Sequence, residues 1–494
     1  MRTPGWTDLY NWQVDRAGST RIFRQVYLQI RSAILSRTFP AGAKLPSTRM
    51  LAARLSVSRT SIISAYEQLF AEGYLSGEVG SGTYISSDLP EAIERRQTKV
   101  ANKRARKSLQ VLVSQPSVDP HVNRITQNDD RPFNTARLFV DARTVEIWRK
   151  LTNQMMRSFS PDHLGYSDPC GLIALRIAIS EYLRAARAVR CDPEQIIVTA
   201  GSQQALDIAI RVLLHPGDEI WVEDPGYPLT HHALTAAGMK LRPIPVDEDG
   251  IDVSAAVRLA PKAAAAVVTP SYQFPTGGVL SMTRRLELLA WARKTGAWII
   301  EDDWASEYRY SGRPLASLQG LDESERVIYF GTMNKTLFPG LRIGYAVVPR
   351  KLLEAFARTR YLMDRHPPSM QQIVLAEFMQ HGFLAAHIRR TRLIYRNQRD
   401  ALAYELQRRG GEHLTVDTPD QGMHLIAYLR RGLSDVEVEQ VASESGIVVR
   451  AMSPFYKKAS PCSGLLLGFS GYPPQLLIPA AARLARIIRG QSRN

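Results

Sequence analysis

Lys335 lies in the run Gly331–Tyr345 (GTMNKTLFPGLRIGY), a few residues after the apolar stretch Val327-Ile328-Tyr329-Phe330. An amine at the C-terminal edge of a strand stands where α/β folds bind their ligands, and it can condense with a carbonyl. Thr332 precedes it by three residues and Arg342 follows by seven, in a loop carrying Pro339-Gly340. Asp302 ends the apolar run Trp298–Ile300 within EDDWASEYRY, and strand alternation turns the adjacent Asp303 to the opposite face. Ala200-Gly201-Ser202-Gln203 joins a strand to a helix and offers backbone N–H groups to an anion. Tyr227, in the turn Glu223-Asp224-Pro225-Gly226-Tyr227-Pro228, supplies a ring suited to stacking.

Most lysines are solvated surface charges, and it is this setting that singles Lys335 out. Pyridoxal phosphate asks for a lysine to form the Schiff base and an anion at the pyridine nitrogen. It also needs donors around its phosphate and an aromatic ring on its face. A candidate for each role stands at the end of a predicted strand.

The elements that position these residues read as α/β. Ile196-Ile197-Val198-Thr199 precedes a helix from Ser202 to Leu214, and Glu219-Ile220-Trp221-Val222 follows Pro216-Gly217-Asp218. Ala264–Thr269, Ala297–Glu301 and Arg326–Phe330 are further short apolar runs bounded by turn residues. Such runs mark buried strands, and the intervening helices predict a mainly parallel sheet. Beyond about Tyr361 the pattern becomes helix-rich with late strands at Leu425–Leu429 and Gly464–Phe469, which predicts a small C-terminal α+β lobe.

A different module precedes this one. Ile22, Val26, Ile30 and Ile34 repeat every four residues as the stripe of an amphipathic helix, broken at Pro40-Ala41-Gly42. Ser47 caps a second helix carrying Leu51 and Leu55, and Ser58 caps a third with Ile62, Tyr66 and Leu69 on its buried side. Tyr74-Leu75-Ser76 and Thr83-Tyr84-Ile85 flank the glycine-rich segment Gly77–Gly82 as strands of a β-wing. These are the parts of a winged helix-turn-helix, whose third helix enters the DNA major groove. Arg59, Thr60 and Ser61 open that helix, Arg49 lies near the start of the second, and Gly80 and Gly82 let the wing approach the phosphate rail.

At 494 residues the chain is too long for one core. We expect a winged helix-turn-helix domain over residues 20–86, a basic linker over 87–130, and the cofactor-binding domain over 131–494. Within the linker, Arg95–Lys107 holds seven basic residues and no acidic one, the composition of a solvated tether. The net charge of +16 favours a polyanionic partner. Three cysteines, Cys170, Cys191 and Cys462, are odd in number and far apart; we read them as reduced thiols and expect no metal site. The N-terminus lacks a signal-peptide core, and no segment approaches a membrane span. The expectation is a cytoplasmic, nucleoid-associated protein.

The block LPSTRMLAARLSVSRTSIISAYEQLFAEGYLSGEVGSGTYI resembles the GntR family, and the resemblance implies that Arg49, Arg59, Thr60 and Gly82 contact double-stranded DNA. The blocks YSDPCG, TAGSQQAL, EDPGYP, TPSYQFPTG, EDDWASEYRY and GTMNKTLFPGLRIGY resemble fold-type I aminotransferases. The whole chain from about Ile22 is similar to the fusion of the two, the MocR family of regulators. That resemblance implies a Schiff base on Lys335, Asp302 at the pyridine nitrogen, Thr332, Arg342, Ser202 and Gln203 at the phosphate, and Tyr227 stacked on the ring. It places Gln273 near the cofactor's 3-hydroxyl and Arg450 (VVRAMSPFY) on an effector's carboxylate, a role for which Arg430 and Arg431 compete. It implies a homodimer as well.

Three positions depart from the family pattern. Trp304 replaces the tyrosine that donates to the 3-hydroxyl, Asn334 replaces the serine before the lysine, and Ala305 replaces an aspartate. An indole N–H donates but cannot accept, so Trp304 is expected to alter the cofactor's surroundings. The expected function is a transcription regulator that binds pyridoxal phosphate and senses an amino compound or the cofactor itself, with little or no transamination. The alternatives are an active aminotransferase with a regulatory DNA-binding domain, and a cofactor-free scaffold.

Overall fold

The computed structural model describes residues 12–77, 82–87, 129–312, 315–430, 432–458, 460 and 462–492. The chain divides into two compact units, 1–114 and 115–494. Most of the expected linker, including Arg95–Lys107, lies outside the described residues, as does Gly80. Its last two residues are held by the second unit, where Asp129 pairs with Arg131 at 2.6 Å and Asp130 pairs with Arg137.

The first unit contains α1 (Ile22–Leu35), α2 (Thr48–Leu55), α3 (Arg59–Ala71) and the hairpin of β1 (Leu75–Ser76) with β2 (Tyr84–Ile85). Ser47 and Ser58 cap the second and third helices, their hydroxyls accepting from Met50 N at 3.2 Å and Ser61 N at 3.1 Å. Each such cap satisfies an N–H that the helix leaves open and contributes about 1 kcal/mol. Val26, Ile30, Ile34, Leu51, Ile62, Tyr66 and Leu69 close one core, the stripe expected from the sequence. β1 and β2 pair antiparallel, with Leu75 opposite Ile85.

In the second unit the central sheet comprises β3 (Ile196–Thr199), β4 (Glu219–Asp224), β5 (Lys240–Asp247), β6 (Gly250–Ile251), β7 (Ala265–Val268), β8 (Trp298–Asp303), β9 (Val327–Thr332) and β10 (Gly344–Val347). Their spatial order is β3-β10-β9-β8-β7-β4-β5-β6. The pairs from β9 through β5 are parallel. The sheet is mainly parallel as expected; β10, a strand not anticipated from the sequence, lies antiparallel between β3 and β9. The chain leaves β9, makes the Lys335 loop and returns beside it, which forces the reversal. β3, β7 and β9 are buried along their whole length, since helices cover both faces of such a sheet.

The small lobe holds a second, antiparallel sheet of β11 (Leu414–Val416), β12 (His424–Leu429), β13 (Arg450–Ala451) and β14 (Gly464–Gly468), ordered β11-β12-β14-β13. The helices Phe383–Gly410 and Pro474–Gln491 pack on each other and on this sheet. No described helix is long and apolar enough to cross a membrane, and the three cysteines are free.

Candidate functional site

β3 ends at Thr199, and Gly201 (φ 117°) turns the chain into the helix Ser202–Leu213. No side chain caps that helix, so its first N–H groups lack intrahelical partners and face outward. A Cβ on Gly201 would come within 3.0 Å of Asn334 Nδ2 and 3.4 Å of the Arg342 guanidinium. The glycine therefore serves both the turn and a close approach. Arg342 takes a left-handed backbone (φ 53°) and donates to the Ala200 carbonyl.

Asn334 has a structural task at this turn. Its Oδ1 accepts from Ile343 N at 3.0 Å, and its own N–H donates to Thr332 Oγ1 at 3.2 Å. The amide closes the Lys335 loop onto the start of β10. A serine would be too short to span the loop in the same way.

Ser202, Gln203, Tyr227, Thr230, Asp302 and Phe330 converge on one narrow crevice at the C-terminal ends of the central strands. Asp302 stands opposite Phe330 in register at the end of β8. Its Oδ1 is buried without a hydrogen-bond partner. Burial, reinforced by the charges of Asp303 and Glu223, raises its carboxyl to about 7. Asp303 points the other way, as alternation predicted: its Oδ2 accepts from Arg187 Nε at 2.7 Å and the Tyr329 hydroxyl at 2.6 Å.

Burial lowers the Lys335 ammonium to about 8, and the positive charge of Arg450 adds to the effect. Arg450 stacks its guanidinium over the Phe455 ring at 5.1 Å and also acts electrostatically on Tyr227 and His424. It thus belongs to the neighbourhood of Lys335. Arg430 instead faces Glu412 at 3.7 Å in an exposed setting, and Arg431 lies outside the described residues.

Two sequence expectations meet a different geometry. Gln273 Nε2 donates to Pro225 O at 2.8 Å, Phe274 O at 2.7 Å and Glu223 Oε2 at 3.2 Å. Its Oε1 accepts from Thr276 N and Oγ1, so the amide is consumed in its own turn and has no free donor for a ligand. Trp304 donates its only N–H to Tyr272 O at 2.9 Å, and its ring lies parallel to His424 at 6.3 Å. Phe274 instead presents a ring to Tyr227, edge to face at 5.4 Å. Ala305 is buried in the small-lobe core beside Tyr308, where an aspartate would be desolvated.

Sequence reading also passed over several neighbours. Thr230 joins the crevice from the first turn of the helix Pro228–Ala236. Burial raises Glu223 to about 7 despite hydrogen bonds from Thr269 and Gln273, and lowers His424 to about 4. The Tyr227 turn is fastened from the small lobe: Asp224 accepts from Lys457 N at 2.7 Å and Lys458 N at 3.3 Å, and Gly226 N donates to Phe455 O at 3.3 Å. Glu223, Asp224 and Gly226 lie in the EDPGYP block, but their partners, and His424 and Thr230, are revealed only by approach across the fold.

In the first unit Arg49, Arg59 and Thr60 are exposed, and Arg59 Nε donates to Thr48 Oγ1 at 3.3 Å, linking the starts of α2 and α3. Gly82 (φ 109°) ends the wing segment, and a Cβ there would meet Lys44 Cε at 2.6 Å. All four expected DNA-contact residues are thus exposed.

Residues 23–85 match the bacterial regulatory proteins of the gntR family, and residues 134–464 match aminotransferase class I and II. The chain is 38% identical over 464 residues to the probable rhizopine catabolism regulatory protein MocR of Rhizobium meliloti, covering 94% of this chain and 93% of that protein. It is 33% identical over 463 residues to the HTH-type pyridoxine biosynthesis transcriptional regulator PdxR of Corynebacterium glutamicum, covering 93% and 94%. Among solved structures, the kynurenine aminotransferase of Pyrococcus horikoshii in complex with PMP superposes with a TM-score of 0.67 at 26% identity, over 80% of this chain and 99% of that one.

Proposed function

The chain belongs to the MocR-type family of transcriptional regulators, in which a GntR DNA-binding domain precedes an aminotransferase-like domain, and from that premise we propose that it binds pyridoxal phosphate at Lys335 to sense an amino compound. The observation that carries this reading is the convergence of Ser202, Gln203, Tyr227 and Asp302 on one crevice. Asp302 Oδ1, buried without a partner, is an acceptor awaiting a donor such as a protonated ring nitrogen. The bare Gly201 turn beneath Asn334 and Arg342 is a cradle that a Cβ would fill. Both features fit the group.

Bound there, pyridoxal phosphate would supply an electrophilic aldehyde on an electron-withdrawing ring. Lys335 supplies the amine; with its ammonium near 8, about a tenth is neutral at pH 7, far more than for a solvated lysine. Asp302 would accept a hydrogen bond from the protonated ring nitrogen. The helix N-terminus at Ser202-Gln203, the Thr332 hydroxyl and Arg342 would hold the phosphate, and Tyr227 would offer its ring to the cofactor's face. Gln273 and Trp304 shape the wall instead of touching the ligand, since their donors are already engaged. Arg450 receives the carboxylate or other acid group of the effector.

On the same reading, the exposed Arg49, Arg59 and Thr60 of the first unit, with Gly82 in the wing, contact double-stranded DNA, and the protein works at the nucleoid in the cytoplasm. A homodimer completes this reading. Leu164, Tyr166 and Leu362, respectively 69%, 80% and 83% exposed, are large apolar groups for a second copy to cover.

The test uses the full chain. Wild type given pyridoxal phosphate is expected to turn yellow and to retain the label after borohydride, and Lys335→Ala to retain none. Amino acids are then screened for a change in the visible band and in affinity for the DNA flanking the gene. A wild type that takes up no aldehyde would overturn the reading.

A further inference from the structure

A second cavity, of about 410 Å3, opens elsewhere in the aminotransferase-like unit. It lies between the helix Ile173–Arg187, the segment after β8 and the helix Phe383–Gly410, and shares no lining residue with the crevice described above. Its size falls in the range of roughly 300–1,000 Å3 typical of small-ligand pockets. We propose that this cavity is a second effector site, for a small oxyanion carrying two negative charges, a dicarboxylate or a phosphomonoester.

The lining supports that ligand class. Arg309, Arg389 and Arg392 all face the cavity, and none of them forms an ion pair among the described residues. Arg392 spends Nε and one terminal nitrogen on the Glu307 backbone carbonyl, at 3.0 and 2.8 Å. Those bonds orient the guanidinium without neutralising it. Arg309 donates to Gln421 Oε1 at 3.2 Å, while its Nε is buried with no hydrogen-bond partner. A buried guanidinium N–H without an acceptor is costly, and an oxyanion is the group that satisfies it best.

The one lining carboxylate does not fill this role. Glu307 Oε1 accepts the Tyr182 hydroxyl at 2.9 Å, on the helix side of the cavity. A fourth arginine, Arg187, is fully committed: to Asp303 at 2.7 Å, to Leu315 O at 2.7 Å and to Ser271 Oγ. It builds the floor. Gln421 is fixed in turn by Nε2 donating to Ser271 O at 2.7 Å. The cavity is therefore a preorganised wall of donors, in which three arginines without ion pairs among the described residues face one carboxylate. Guanidinium groups match the planar geometry of carboxylate and phosphate oxygens, which favours these anions over halides.

The proposal stands without the cofactor reading, and its test reads anion binding alone. Full-length protein treated with pyridoxal phosphate and then dialysed free of the excess, which is itself a phosphomonoester, is titrated calorimetrically with malonate and separately with inorganic phosphate. At least one of the two should bind saturably in the millimolar range or below. The double variant Arg309→Gln/Arg392→Gln should weaken that binding at least tenfold. Arg389→Glu, an exposed change on a helix surface that leaves packing alone, should weaken it as well and serves if the double variant folds poorly. Malonate alone binding would mark a dicarboxylate site and phosphate alone a phosphomonoester site; either supports the proposal. Absence of saturable binding by both anions, or undiminished binding in Arg389→Glu and the double variant, would overturn it.

Discussion

The indole N–H of Trp304 donates to the backbone carbonyl of Tyr272 at 2.9 Å, binding the end of β8 to the loop that follows β7. The Tyr272 hydroxyl in turn donates to His424 O at 3.1 Å, and His424 Nε2 donates to Pro275 O at 2.9 Å. Trp304 is thus one link in a hydrogen-bonded wall that spans the two sheets. The tyrosine expected at this position would offer a hydroxyl to a ligand; the tryptophan offers its donor to the protein.

Trp304→Phe keeps an aromatic ring and removes that link. It should cost about 1 kcal/mol of stability, the net worth of a buried hydrogen bond to a carbonyl, in urea unfolding. Affinity for pyridoxal phosphate, followed by visible absorbance, should change by less than about threefold, equivalent to well under 1 kcal/mol. A loss of cofactor binding larger than the loss of stability would show that the indole touches the ligand after all.

Asp302, Glu223 and Glu301 are all raised by burial to about 7. Each has a folded pKa above its unfolded one, so the folded chain binds more protons between about pH 4 and 7. The apoprotein loses stability as pH rises through that window. Asp302→Asn removes one contributor, so its stability should fall less steeply from pH 4 to 7. At pH 8 it should exceed wild type by on the order of 1 kcal/mol, after allowance for solvent screening. Parallel unfolding curves for the two proteins would contradict the burial of this carboxyl.

Gly201→Ala tests the cradle. A φ of 117° strains any L-residue, and the added methyl meets Asn334 and Arg342. We expect a loss of about 1–3 kcal/mol in stability. Affinity for pyridoxal phosphate should fall at least about tenfold, or 1.4 kcal/mol, in equilibrium dialysis. Unchanged affinity would move the phosphate away from this turn.

Arg59→Ala should weaken binding to operator DNA by about 1–3 kcal/mol, measured by fluorescence anisotropy at fixed salt. The side chain is exposed and its one hydrogen bond among the described residues goes to Thr48, so the thermal midpoint should move little. If Arg59 contacts a phosphate, the slope of log affinity against log salt should fall by about 1. Equal binding by both proteins would remove Arg59 from the interface.

The legible parts of this molecule are those set by local pattern. The unbroken apolar runs of β3 and β9, the serine caps of α2 and α3, and the period-two alternation that separates Asp302 from Asp303 are all signals carried by a few adjacent residues. Strand β10 was not legible, because the direction in which Gly344–Val347 pairs depends on the loop before it and not on its own residues. The tasks of Gln273 and Trp304 were hidden for a related reason. A side-chain donor goes to whichever acceptor the fold brings near, and Gln273 finds Glu223 and Pro225 some 50 residues away in sequence. Glu223 raises the carboxyl of Asp302, and His424 feels the charge of Lys335; neither relation shows in the local pattern.

The double fastening of the Tyr227 turn has a mechanical meaning. Its base belongs to β4 of the central sheet, while its crown is pinned by the backbone of residues 455–458 in the small lobe. The turn that carries the ring is thus a strut shared by sheet and lobe. Displacing the lobe must either break the Asp224 and Gly226 bonds or carry the turn with it, so the posture of the lobe and the shape of the crevice wall become one coordinate.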